Sequence, residues 1–254
     1  MQQITTDLAA QHAELRAVLT DLRPEQWDAP SRCPGWSVAD VVLHLAQADE
    51  VAVASARGNI DAGARAAGWD LDALHSGRHS MDALADLAVQ SQRGAAPDAL
   101  LARWSDVADA VVETLGAMDP KEQVPWVVGT LPARTLATTR LAECWIHTGD
   151  IAPAVGVEQP FSERMWHIAR LAWRTIPYAF SQAGQELTGP VAVVLTTPEG
   201  RTWTFADPDP VTTVTGDAMT FCQVAARRIP GDESGLTATG PDAEAVLDLV
   251  RTFA

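Results

Sequence analysis

The sequence predicts an α+β chain that is mainly α, with a helical bundle over residues 1–185 and a small α+β domain over residues 186–254. Two features point to it. Apolar residues recur at helical spacing in long stretches up to about residue 182, several of them opened by helix-start signals. After Gly189 the texture changes to an alternation of apolar and polar residues around short turns, which is the period of strands.

Residues 2–22 carry apolar positions at helical spacing and end at DLRPEQW. The stretch PSRCPGWS, Pro30 to Ser37, is rich in turn residues and closes a loop. Ser37 then reads as an N-cap with Asp40 in a capping-box position, opening the helix VADVVLHLAQADEVAVASA. Residues 58–95, with scattered glycine and charge, predict shorter helices. Pro97 suits the first turn of a helix that runs to about Met118. DPKEQVPWVVGTLP is a loop leading into a helix from Ala133 to about Val155, and another helix runs from about Ser162 to Gln182. PVAVVLTTPEGRTWTFA predicts a hairpin about a Pro-Glu-Gly turn, and PVTTVTG a third strand. GLTATG is a short strand candidate between two helices, DAMTFCQVAARR and PDAEAVLDLVRTFA.

Composition narrows the function classes. A net charge of −15 with no basic block argues against nucleic-acid binding through phosphate neutralisation. No run approaches the roughly 18 apolar residues of a membrane span. The N-terminus lacks a basic region followed by an apolar one, and Cys33, Cys144 and Cys222 are widely separated. A reduced, cytoplasmic protein is expected, acting as a monomer or homodimer. There is no Gly-rich phosphate loop, nucleophile elbow or H-E-x-x-H.

The unusual chemistry lies in RLAECWIHTGDIAPAVG, Arg140 to Gly156. A helix apolar nearly all round is buried, and charges inside it need partners. Glu143 and His147, four residues apart, share a helix face with Asp150. A carboxylate and an imidazole so placed can ligate one divalent cation or form a hydrogen-bonded core pair. His44, in VVLHLA, is a second histidine among apolar neighbours and the best-placed ligand from another element. His75 and His79 have the same spacing of four, but Ser76, Gly77 and Arg78 mark a solvent-facing or fraying segment. Glu163 and His167 repeat the pattern, with Glu163 in a helix's first turn, where it favours the dipole. Asp207 and Asp209 read as turn residues. Arg227 and Arg228 close their helix, either as caps or as a guanidinium clamp for a carboxylate.

SRCPGWSVADVVLHLAQAD resembles the loop and second helix of DinB-like four-helix bundles, specifically the N-terminal domain of mycothiol-dependent maleylpyruvate isomerases. ARTLATTRLAECWIHTGDIAPAVG resembles that family's second metal-bearing helix. The resemblance covers about residues 1–155 and implies a divalent cation, typically zinc, on His44, Glu143 and His147. It implies mycothiol as cofactor, with Asp150 in the second ligand shell or in contact with the thiol. Mycothiol is a thiol of high-GC actinobacteria, which fits a chain whose only lysine is Lys121. The tail resembles a unit named for wyosine-base formation and departs from the sterol-carrier-like domain of the isomerases. An isomerase C-terminal arginine assists the substrate, and Arg227 or Arg228 is its nearest equivalent.

The expected activity is therefore thiol-dependent isomerisation or thiol transfer on a small electrophile. A thiol entering an open zinc position ionises, and the thiolate adds to an activated double bond. Two alternatives stay open: a hydrolase whose metal activates water, and a non-catalytic metal- or ligand-binding protein whose site is closed by a fourth ligand such as Asp150.

Overall fold

A computed structural model describes residues 1–252. The chain forms two compact units, Met1–Gln159 and Pro160–Ala254. It is an α+β fold, mainly α.

The first unit contains α1 (Gln2–Thr20), α2 (Pro24–Trp27), α3 (Val38–Ala56), α4 (Ile60–Ala66), α5 (Leu71–His75), α6 (Met81–Gln92), α7 (Pro97–Gly116), a hairpin of β1 (Gln123–Trp126) and β2 (Gly129–Pro132), and α8 (Ala133–Val155). Helices α1, α3, α7 and α8 make the bundle: α1 and α3 each pack against both α7 and α8. Leu15, Leu19, Val41, Val42, Leu45, Trp104 and Ile151 fill its centre. A second apolar cluster, with Val51, Trp69, Leu71 and Leu84, is assembled from α3 and the short helices.

The helix starts obey local chemistry. Ser37 caps α3: its hydroxyl accepts from the Asp40 N–H, and the Asp40 carboxylate accepts from the Ser37 N–H. Arg93 anchors Asp40 in turn, at 2.8 Å. Pro97 occupies the first turn of α7, where its missing N–H costs nothing. Helix α8 is buried nearly all round and ends at Gly156, whose φ of 76° suits glycine. The hairpin replaces the loop expected between α7 and α8. Val124 and Val127 are buried there, and the Ser55 hydroxyl of α3 donates to the Pro125 carbonyl.

The second unit holds α9 (Met165–Gln182), β3 (Val191–Thr196), β4 (Thr202–Phe205), β5 (Thr212–Asp217), α10 (Ala218–Ala225), β6 (Thr237–Thr239) and α11 (Ala243–Leu249). Its sheet has the order β4-β3-β5-β6. Strand β3 is antiparallel to β4 and parallel to β5, and β5 is antiparallel to β6. The Pro-Glu-Gly turn closes the β3–β4 hairpin, with Gly200 at φ 78°. Helix α9 belongs to this sheet. Trp173 Nε1 donates to the Val191 carbonyl at 2.7 Å, and Thr175 Oγ1 to the Arg251 carbonyl at 2.7 Å. The division at Gln159 and Pro160 thus precedes the boundary near residue 185 that helix periodicity suggests. Helix α11 stops at Leu249, and the last two residues expected in it lie outside the described ones. Among the described residues, no helix is long and apolar enough to cross a membrane.

His12 of α1 is 2% exposed, and burial pushes its pKa below 6.5, against the pull of Asp49. The unfolded chain takes up a proton near pH 6.5 that the folded chain refuses, so stability falls as pH drops through that value. We expect Tm to fall between about pH 7 and pH 5, the histidine contributing at most about 1.4 kcal/mol per pH unit. His12→Gln should flatten that slope in thermal melts; an unchanged slope would refute it.

Candidate metal centre

His44 comes from α3, and Glu143 and His147 come from α8. Residue numbers rise along α3 as they fall along α8, because His44 meets Glu143 and His147 while Asp49 meets Arg140. The two helices are therefore antiparallel neighbours. The i, i+4 spacing puts Glu143 and His147 on one α8 face, and the antiparallel packing brings His44 opposite them.

The three side chains are nearly closed to solvent, at 10%, 14% and 8% exposure for His44, Glu143 and His147. Glu143 Oε2 lies 3.6 Å from His44 Nε2 and 3.7 Å from His147 Nε2. The two imidazoles meet edge to face, 5.0 Å between centroids. Both N–O distances exceed an N–H···O bond, which closes to about 3.2 Å or less. They are near the roughly 3.4 Å that separates two donors of a tetrahedral ion bound at about 2.1 Å. Two imidazole nitrogens and one carboxylate oxygen are also the donor set of a cation site with an open position. By distance and by chemistry, these residues fit a divalent cation.

Burial would push the Glu143 carboxyl up, but His44, Arg140 and His147 outweigh it and hold its pKa at about 2. Burial pushes His44 down against the pull of Glu143, with His147 and Arg140 adding to the fall. Glu143 is thus a carboxylate and His44 a neutral imidazole at neutral pH, the forms that ligate metals.

The partners behind the two histidines differ. His147 Nδ1 is 2.9 Å from Asp150 Oδ2, and Asp150 is fully buried. Asp150 therefore meets the ring nitrogen opposite the one that faces Glu143. Cys33 Sγ donates to the same Asp150 oxygen at 3.2 Å and lies 3.8 Å from His147 Nδ1. The Arg32 N–H donates to the Asp150 carbonyl at 3.0 Å, so the loop before α3 is fastened to α8 by backbone and side chain together. Cys33, His147 and Asp150 form a second group of donor atoms close enough for an ion. Its 2.9 Å nitrogen–oxygen contact has hydrogen-bond length. His44 Nδ1 is buried with no hydrogen-bond partner among the described residues. Its ring is held by aromatic contact instead, 5.2 Å from Trp36 and stacked at 6.4 Å on Trp69.

The rival histidine pairs are not assembled. Helix α5 ends at His75, whose Nε2 meets the Val127 carbonyl at 3.0 Å, so His75 and His79 share no helix face. Glu163 precedes α9 rather than opening it and pairs with Arg201, while His167 lies edge-on to Trp166. Asp207 and Asp209 lie in the loop between β4 and β5, with Asp209 at φ 53°. In the second unit, Arg227 is exposed at φ 61° and donates to the Asp248 carbonyl at 2.6 Å. Arg228 is half-buried and donates to the Ala226 carbonyl at 2.7 Å.

Sequence reasoning treated Cys33 only as a free thiol. Its signal was position: it sits in the turn-rich loop just before the cap of the helix that carries His44. Cys33 is half-buried, whereas Cys144 and Cys222 are fully buried and burial pushes both thiols far up. Alkylation of the native chain with iodoacetamide should modify Cys33 alone, with the other two reacting after denaturation. Mass spectrometry showing native labelling of Cys144 or Cys222 would contradict this burial pattern.

Comparison with known proteins places this geometry. Two uncharacterized proteins from two strains of Mycobacterium tuberculosis are each 32% identical over 251 residues, 98% of this chain and 94% of theirs. Two crystal structures of the mycothiol-dependent maleylpyruvate isomerase, one of a mutant, share the fold with a TM-score of 0.60 at 18% identity. The match covers 94% of this chain and 92% of that one. The family model for the mycothiol maleylpyruvate isomerase N-terminal domain matches residues 8–152, more than half of the chain. With the bundle and its converging histidines and carboxylate, this shows that the chain belongs to the mycothiol maleylpyruvate isomerase N-terminal domain family.

Proposed function

We propose that the chain is a metal-dependent enzyme that uses a low-molecular-weight thiol of the mycothiol type to isomerise, or to conjugate, a small electrophilic substrate. The observation that carries this reading is the triangle of His44 Nε2, Glu143 Oε2 and His147 Nε2, with separations suited to one shared cation. Family membership and the isomerase structures that share the fold support the thiol and the isomerisation.

His44, Glu143 and His147 would hold the cation, and zinc is the ion proposed for this donor set. When bound, it would supply the positive charge that ionises an entering thiol, making a nucleophile for addition to an activated double bond. The remaining work falls to the chain. Glu143, as the one anionic donor, leaves the centre a net positive charge. Asp150 accepts from His147 Nδ1–H, which fixes the tautomer and keeps the Nε2 lone pair on the side of Glu143. Trp36 and Trp69 hold the His44 ring and exclude water from it. Of the two roles expected for Asp150, behind a ligand or against the thiol cofactor, its full burial behind His147 supports the first, and it is proposed as a positioning residue. Arg227 and Arg228 are the proposed substrate-assisting arginines of the second unit, by their guanidinium chemistry toward a carboxylate.

Metal content separates this reading from a plain polar core. Protein purified without an affinity tag should carry about one divalent ion per chain, and His44→Ala, Glu143→Ala or His147→Ala should lose it. A metal-free wild-type chain would remove the proposal. Turnover should require added thiol; equal turnover without thiol would point to metal-activated water and a hydrolase. Asp150→Asn should weaken zinc binding about 10- to 100-fold in chelator competition, the usual effect of losing such an outer contact.

A further inference from the structure

A second polar contact joins α3 to α8 away from the triad. Arg140 Nε donates to Asp49 Oδ1 at 2.7 Å, with the two side chains 3% and 2% exposed. Asp49 lies five residues beyond His44 on α3, and Arg140 three residues before Glu143 on α8.

Such a pair is a poor means of holding two helices together. Taking both charges out of water costs several kcal/mol per ion, and apolar residues of similar volume often serve stability as well or better. The offset is incomplete here, because Arg140 Nη2 is buried with no hydrogen-bond partner among the described residues. What the pair does impose is geometry. Guanidinium and carboxylate meet at one axial offset and one rotation of α8 on α3. A slip of one residue moves a side chain about 1.5 Å along the axis and about 100° around it, which breaks the contact. The same offset and rotation bring Glu143 and His147 opposite His44. An apolar contact of Leu or Met would tolerate sliding; this one does not.

We propose that Asp49 and Arg140 are positioning residues for the His44–Glu143–His147 cation site, locking the register of α8 against α3 so that the three donors stay in their triangle. The inference rests on the metal reading of that site. The guanidinium on the preceding turn adds a fixed positive charge on the Glu143 side of the helix.

The test uses the full chain, stripped of metal and titrated with Co2+, which reports its ligand geometry in the visible spectrum. Two paired variants are compared with wild type: the apolar Asp49→Leu with Arg140→Met, and the uncharged polar Asp49→Asn with Arg140→Gln. The metal-free paired variants should melt at or above the wild-type temperature. Their Co2+ dissociation constants should rise at least tenfold, with weaker and shifted visible bands, and Arg140→Lys should fall between them and wild type. Wild-type Co2+ affinity and spectrum in either folded paired variant would overturn the proposal. So would failure of both paired variants to fold, because the pair would then be a stability element. A wild-type chain that binds no Co2+ would instead overturn the metal reading, and this inference with it.

Discussion

The interaction on which the rest of this structure depends is the enclosure of charged groups inside a helical bundle. An unpaired carboxylate or guanidinium in such an interior is costly enough that each must be met by a partner from another turn or another helix. Helix α8 brings Arg140, Glu143, His147 and Asp150 into the core, and the charges are answered: Arg140 by Asp49, Glu143 by two imidazoles, and the Asp150 carboxylate by His147 and Cys33. Because Asp49 and His44 come from α3 and Cys33 from the loop before it, the polar contacts dictate how those elements must lie on α8. The apolar core fills around an arrangement that the charges have already constrained.

The loop from Pro30 to Ser37 gains its shape from the same requirement. The Ser31 hydroxyl donates to the Trp36 carbonyl at 2.8 Å, and the Trp36 N–H closes a turn on the Cys33 carbonyl at 3.0 Å. One compact turn thus delivers Cys33 to Asp150 on one side and Trp36 to His44 on the other. Trp36 is fixed further by its Nε1, which donates to Asp86 at 3.0 Å. The loop therefore forms part of the wall of the centre, besides connecting two helices.

How much of this was legible in the sequence differed from residue to residue. Glu143, His147 and Asp150 were readable as one face because a helix fixes their spacing locally. The cap at Ser37 and Asp40 was readable for the same reason. His44 could be placed on a buried helix, but joining it to Glu143 is a tertiary fact, and only the family pattern supplied it. Cys33 and the Asp49–Arg140 pair were missed because nothing local marks their partners: Asp49 sits beside Glu50 and looks like part of an ordinary polar face. The β1–β2 hairpin was missed because Pro125 argues against a strand and the turn at Val127–Val128 carries no glycine. Helix α9 shows an apolar face, but periodicity says nothing about which neighbour covers it. Hence the bundle was expected to run on to residue 185, whereas its compact unit ends at Gln159.

The division of the donors between α3 and α8 has a thermodynamic side. The unfolded chain keeps Glu143 and His147 near each other along the sequence but leaves His44 far away, so a ligand that needs all three finds its site only in the folded bundle. Its binding free energy is then linked to folding. At a free concentration one hundred times its dissociation constant, such a ligand raises the stability of the folded state by about 2.7 kcal/mol. That is a large share of the roughly 5–15 kcal/mol that holds an ordinary domain together. A cation held by all three donors would therefore act on the stability of the whole bundle as well as on the site.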